Sequence, residues 1–132
     1  MNSFWEIKVL LVETNPTIIK MVEKIMKLSP VFYFLRRIEN VHDLNYELKY
    51  NKPDLIISGL TMDNFDAGKV LELVNLFAEK IPVMVLAPEY NIATNYKLAM
   101  QGAYDIFYHS EIKRLPNEIA FLCERKNNPE PD

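Results

Sequence analysis

Five short runs rich in apolar and β-branched residues alternate with amphipathic stretches along this chain, and that alternation restricts the fold more than any other feature. The runs are IKVLLV (7–12), VFYFLRRI (31–38), DLIIS (54–58), IPVMVL (81–86) and YDIFY (104–108). The first, third and fourth are apolar on both faces, which suits a strand buried on both sides and not one with a wet face. The intervening stretches read as helices. Thr14 or Asn15 can cap the first and Pro16 suits its opening turn. Ile18, Ile19, Val22, Ile25 and Met26 then form one stripe, and Ser29-Pro30 ends the helix. A second helix over 41–52 carries Leu44 and Leu48 four residues apart, and Pro53 closes it. After a loop over 59–64, Asp66 caps a third helix whose inward stripe is Val70, Leu73, Val74 and Phe77. A fourth helix over 93–100 stops at Gly102. A last one over 116–126 turns Ile119, Leu122 and Cys123 inward. Strict alternation of strand and helix predicts an α/β fold: a five-stranded parallel sheet between two helical layers.

Length and charge narrow the function. A chain of 132 residues fits one domain, expected over 1–126, with the polar NNPEPD stretch (127–132) as a tail or the start of a linker. The net charge of -3, with basic residues not gathered into a stripe, gives no electrostatic case for nucleic acid. Cys123 is the only cysteine, which excludes an intramolecular disulfide and a cysteine-based metal site. It reads as a packing residue. MNSFWEIK does not have the form of a secretory signal, and no apolar run approaches the ~20 residues of a membrane span, so a cytoplasmic location without membrane contact is expected. Three glycines leave little material for a phosphate-cradling loop, and there is no GxSxG elbow. No enzyme activity, cofactor or metal is indicated.

The stretches KVLLVETNP, KPDLIISGL, IPVMVLAP and QGAYDIFYHS, in that order, resemble the receiver domain of two-component response regulators. The resemblance covers nearly the whole chain, from Lys8 to Lys126. It implies a flavodoxin-like three-layer α/β/α sandwich of (βα)5 topology, with its site at the carboxyl ends of the strands. In receivers, phosphoryl transfer to an aspartate on the third strand uses acids after the first strand to hold Mg²⁺. A Ser or Thr after the fourth strand and a Lys after the fifth contact the phosphoryl group.

Laid on this pattern, the acceptor position falls on Gly59, which has no side chain to phosphorylate. The acid pair falls on Glu13 and Thr14, the hydroxyl position on Ala87, the lysine position on His109 and the aromatic switch on Ile106. The flanking strands fix the register, so one misplaced residue does not account for all six departures. The resemblance therefore implies a degenerate, pseudo-receiver module of a phosphorelay-type regulator that works through protein–protein interaction. An alternative is an atypical regulator still switched by phosphate or a small ligand through Glu13, Asp63 and His109. Asp54 opens the third strand, at the far end from the site.

In receivers the face formed by the fourth helix, fifth strand and fifth helix docks partners or a second copy. Here Tyr96, Tyr104, Phe107 and Tyr108 offer aromatic surface on that face, half of them expected as core, and Lys97, Asp105, Lys113 and Arg114 supply rim charge. A protein partner or a homodimer through this face is expected. Phe4 and Trp5 are read as cover for the sheet bottom or as part of a dimer contact.

Overall fold

The computed structural model describes residues 6–77 and 80–127. Phe4 and Trp5, and the tail beyond Asn127, lie outside them. Five strands run β1 (Glu6–Val12), β2 (Phe32–Ile38), β3 (Leu55–Gly59), β4 (Val83–Ala87) and β5 (Asp105–Tyr108). The helices are α1 (Pro16–Met26), α2 (Val41–Tyr50), α3 (Ala67–Leu76), α4 (Ile92–Met100) and α5 (Leu115–Asn127). The sheet order is β2-β1-β3-β4-β5 with every neighbouring pair parallel. This is the flavodoxin-like order with its switch point between β1 and β3.

The apolar residues on both faces of β1 become two cores. Ile7, Val9 and Leu11 face α1 and α5, packing with Ile19, Val22, Met26 and Ile119. Leu10 and Val12 face the other way, with Leu44 and Leu48 of α2, Val70 and Val74 of α3, and Leu98 of α4. Phe107 is fully buried in the first core.

Local chemistry starts the helices where the residue types imply. Asn15, and not Thr14, caps α1: its side chain accepts from the Thr17 and Ile18 amides at 2.9 and 3.4 Å, with Pro16 following. Asp66 caps α3 by accepting from the Lys69 amide at 3.0 Å. Asn40 and Asn91 do the same for α2 and α4.

Two elements depart from the expected layout. The stretch 59–64 is not a plain loop. Thr61–Met62 pairs antiparallel with Phe65–Asp66 in a miniature hairpin whose turn holds Asn64 at a φ of 72°, a conformation that asparagine tolerates better than most residues. Between β5 and α5, His109–Arg114 forms a 3₁₀ helix that buries Ile112.

One charged cluster braces the edge of the sheet. Glu47 of α2 is 3% exposed and accepts from Lys8 Nζ at 2.7 Å, with Arg36 Nε at 3.1 Å. A cation on β1, a cation on the edge strand β2 and an anion on α2 are thereby joined. Removing the anion leaves Lys8 with the Asn51 carbonyl at 2.7 Å as its remaining acceptor and Arg36 half-exposed, two like charges without the carboxylate between them. Glu47→Ala is expected to lose about 2 kcal/mol in urea unfolding. High salt should close little of that gap, because the carboxylate is buried.

Candidate functional site

The parallel register sets which residues share a level at the carboxyl end of the sheet. Val12 pairs with Ser58, so the next residue of each strand, Glu13 and Gly59, stand side by side. Gly59 pairs with Leu86 and Ala87 with Tyr108, which puts Ala87 and His109 at the same end, one step further on. Side chains alternate along a strand. Ser58 therefore points to the α2–α3 side, and its hydroxyl donates to the Gly59 carbonyl at 2.8 Å.

Glu13 is 4% exposed, and its carboxylate is held by the chain that follows it. Oε2 accepts from the Thr14 amide at 2.9 Å and from the Asn15 amide at 3.1 Å. The Glu13 amide donates to the Ile38 carbonyl at 3.1 Å, continuing the β1–β2 ladder by one residue. The other oxygen, Oε1, lies over Gly59, and a Cβ built there would collide with it.

Thr14, at the second acid position, acts on the hairpin. Its Oγ1 accepts from the Asp63 amide at 3.0 Å. Asp63 thus reaches the site through its backbone, while the residue is exposed. Asp54 is tied at the opposite end, with Oδ2 accepting from the Lys8 amide at 2.8 Å. Ala87 is buried, Ile106 packs against the α2–α3 core, and His109 is half-buried at the start of the 3₁₀ helix. Among the described residues, His109 makes no side-chain hydrogen bond or ion pair.

The fold recurs in solved structures. A Vibrio parahaemolyticus signal receiver domain superposes with a TM-score of 0.80 at 22% identity, covering 93% of this chain and 94% of that one. The receiver domain of the Francisella response regulator 1452 gives 0.78 at 16% identity, over 91% and 98% of the two chains. The phosphorylated cyanobacterial phytochrome response regulator RcpA gives 0.72 at 18% identity, over 96% and 98%. The chain has the receiver-domain fold. No protein-family model matches its sequence, and no curated protein does.

Receivers hold Mg²⁺ with clustered acids, and the residues here do not fit that ion. Among the described residues, no three His, Cys, Asp or Glu side chains are gathered to hold a metal. Glu13 brings one carboxylate, with one oxygen already given to two amides. Thr14 brings a neutral hydroxyl, and Gly59 brings nothing. A hard divalent cation needs several oxygen ligands at once. Glu13, Asp63 and His109 are not assembled into such a set.

The face expected to meet a partner holds both exposed and packed residues. Ile92, Tyr96 and Met100, at i, i+4 and i+8, form an apolar ridge along α4 that is 71%, 68% and 71% exposed. Tyr104 is exposed at the end of that helix's loop, and Arg114 lies 4.0 Å from Asp105 and 3.3 Å from Glu111. Phe107 belongs to the core. Tyr108 is half-buried, its hydroxyl accepting from Asn95 Nδ2 at 2.8 Å and its ring meeting Tyr90 edge-on at 6.0 Å. Ile92 and Met100 escaped sequence reasoning, which weighed aromatic residues for this face; the four-residue spacing with Tyr96 was the available signal.

Among the described residues, the bond from the Asp63 amide to Thr14 Oγ1 is the one side-chain hydrogen bond that ties the β1–α1 turn to the hairpin. Thr14→Val is expected to cost about 1 kcal/mol. It should also speed hydrogen exchange at the Asp63 amide, with the β1 and β3 amides unchanged.

Proposed function

We propose that this chain is a receiver-like signalling module that acts by protein–protein contact without phosphorylation of an aspartate. The observation that carries this reading is glycine at position 59, at the carboxyl end of β3, where a receiver's acceptor side chain projects. The backbone there bears no nucleophile. The supporting groups are missing with it: Ala87 in place of a hydroxyl, His109 in place of a lysine, and one carboxylate in place of two. Phosphoryl transfer depends on positioning and charge neutralisation together, so loss of the nucleophile with most of its supporting groups removes the chemistry.

The reading as a ligand switch through Glu13, Asp63 and His109 is less favoured, because Glu13 is already engaged and Asp63 is exposed. The ridge on α4 suits contact with a second copy. A two-fold axis would bring Tyr96 against its equivalent, and the Asp105 of each copy toward the Arg114 of the other. Exposed apolar side chains at helical spacing are costly to leave in water, and burying them is the main drive for such association.

Two measurements test the reading. After incubation with acetyl phosphate and Mg²⁺, the intact mass should be unchanged; a stable phosphoryl adduct ends the proposal. In sedimentation across a concentration series, the wild type should move toward dimer. Tyr96→Ala should weaken that association about tenfold, while shifting stability by no more than about 0.5 kcal/mol, as for other exposed sites.

A further inference from the structure

Gly59 does not owe its glycine to the backbone. It is an ordinary strand residue, outside the left-handed region that glycine alone enters freely. Glycine inside a strand weakens it, and commonly marks a place where another group approaches closely. The approaching group here is Glu13. A Cβ at position 59 would collide with Glu13 Oε1, stand 2.8 Å from Glu13 Cδ and 3.0 Å from Met62 Sδ. Met62 is buried and forms the wall on the hairpin side.

A carboxylate at the end of a flexible side chain could ordinarily swing aside. This one is held in place by the Thr14 and Asn15 amides, and it is 4% exposed. Moving it would cost charge-assisted hydrogen bonds, which are among the stronger ones in proteins. Its length matters as well. Glu13 and Gly59 are side by side on adjacent strands, and the longer side chain lets a carboxylate rooted on β1 lie across β3.

We infer that Glu13 and Gly59 are one steric unit, in which the Glu13 carboxylate is a resident occupant of the space that a receiver's acceptor side chain would fill. The inference rests on the reading of Gly59 as the former acceptor position, and deepens it. The pocket is not vacated by the loss of the acceptor; it is filled from the neighbouring strand. Substituting an acceptor at position 59 alone would therefore meet a carboxylate already in its place, with like charges brought together in a buried site.

A double-mutant cycle in thermal unfolding tests this. With Glu13 present, Gly59→Ala should lower Tm by roughly 5 °C. In a Glu13→Ala background the same substitution should leave Tm unchanged or raise it, because the added methyl enters the space that the carboxylate has left. Glu13→Gln keeps the bulk without the charge, and there Gly59→Ala should still lower Tm. An equal loss in all backgrounds would overturn the inference, since the backbone or Met62 would then be the cause. Should Glu13→Ala fail to fold, Glu13→Ser provides the truncated background. The outcome is separable from the proposed function: a phosphoryl adduct on the wild type leaves the cycle intact, and an additive cycle leaves the absence of a nucleophile at Gly59 intact.

Discussion

The parallel ladder between β1, β3 and β4 is the constraint from which the rest of the molecule follows. Because β1 meets β3 with Val12 at Ser58, the first residue after β1 stands beside the last residue of β3. Because β3 meets β4 with Gly59 at Leu86, the end of β4 stands one step above both. A slip of one residue would exchange the two cores, sending Val9 and Leu11 to the side of Leu10 and Val12. Both sides of the sheet are packed, so such a slip would misfit both. The levels of Glu13, Gly59, Ala87 and His109 are thus determined by buried side chains well below them. The chemistry of the site can change without disturbing the scaffold that positions it.

Under the proposed reading, electrostatics at this end of the sheet differ in kind from those of a receiver that takes a phosphoryl group. Clustered carboxylates repel, and a bound cation resolves that repulsion. Here one buried carboxylate takes two backbone N–H groups at the opening of α1, with no acidic side chain in that helix's first turn. The N-terminal end of a helix favours negative charge. The charge is therefore compensated by the chain itself. Hydrogen bonds from fixed backbone N–H groups offset part of the cost of burying that carboxylate.

Much of this architecture was legible in the residues, and the exceptions share a physical cause. Asn15-Pro16 and Asp66 announced their helices because capping is local chemistry. The two cores were legible because a strand buried on both faces cannot alternate. The hairpin at 61–66 was hidden because two residues per strand are too few to show a period of two. The 3₁₀ helix over HSEIKR was hidden because it buries Ile112 alone. The resemblance laid the acceptor position on Gly59 and an acid position on Glu13. The reach of Glu13 over Gly59 was not legible, because it depends on two strands distant in sequence and on where a four-bond side chain is held once they meet. The same holds for Glu47, whose two cations come from β1 and β2.

A switch needs two arrangements of comparable free energy and a ligand that binds one better than the other. To move such a balance from one side to the other takes several kcal/mol of differential affinity. In receivers that difference is supplied at the end of the sheet by the phosphoryl group and its cation. In this chain Thr14 holds the hairpin, Asn95 holds Tyr108, and the Thr14 and Asn15 amides hold Glu13. Each contact is made by the protein to itself; under the proposed reading, the end of the sheet therefore offers a phosphoryl group no differential contact through which to act. Under the proposed reading, information enters and leaves such a domain by the same route, at the exposed ridge of Ile92, Tyr96 and Met100, where a partner's arrival is the event itself.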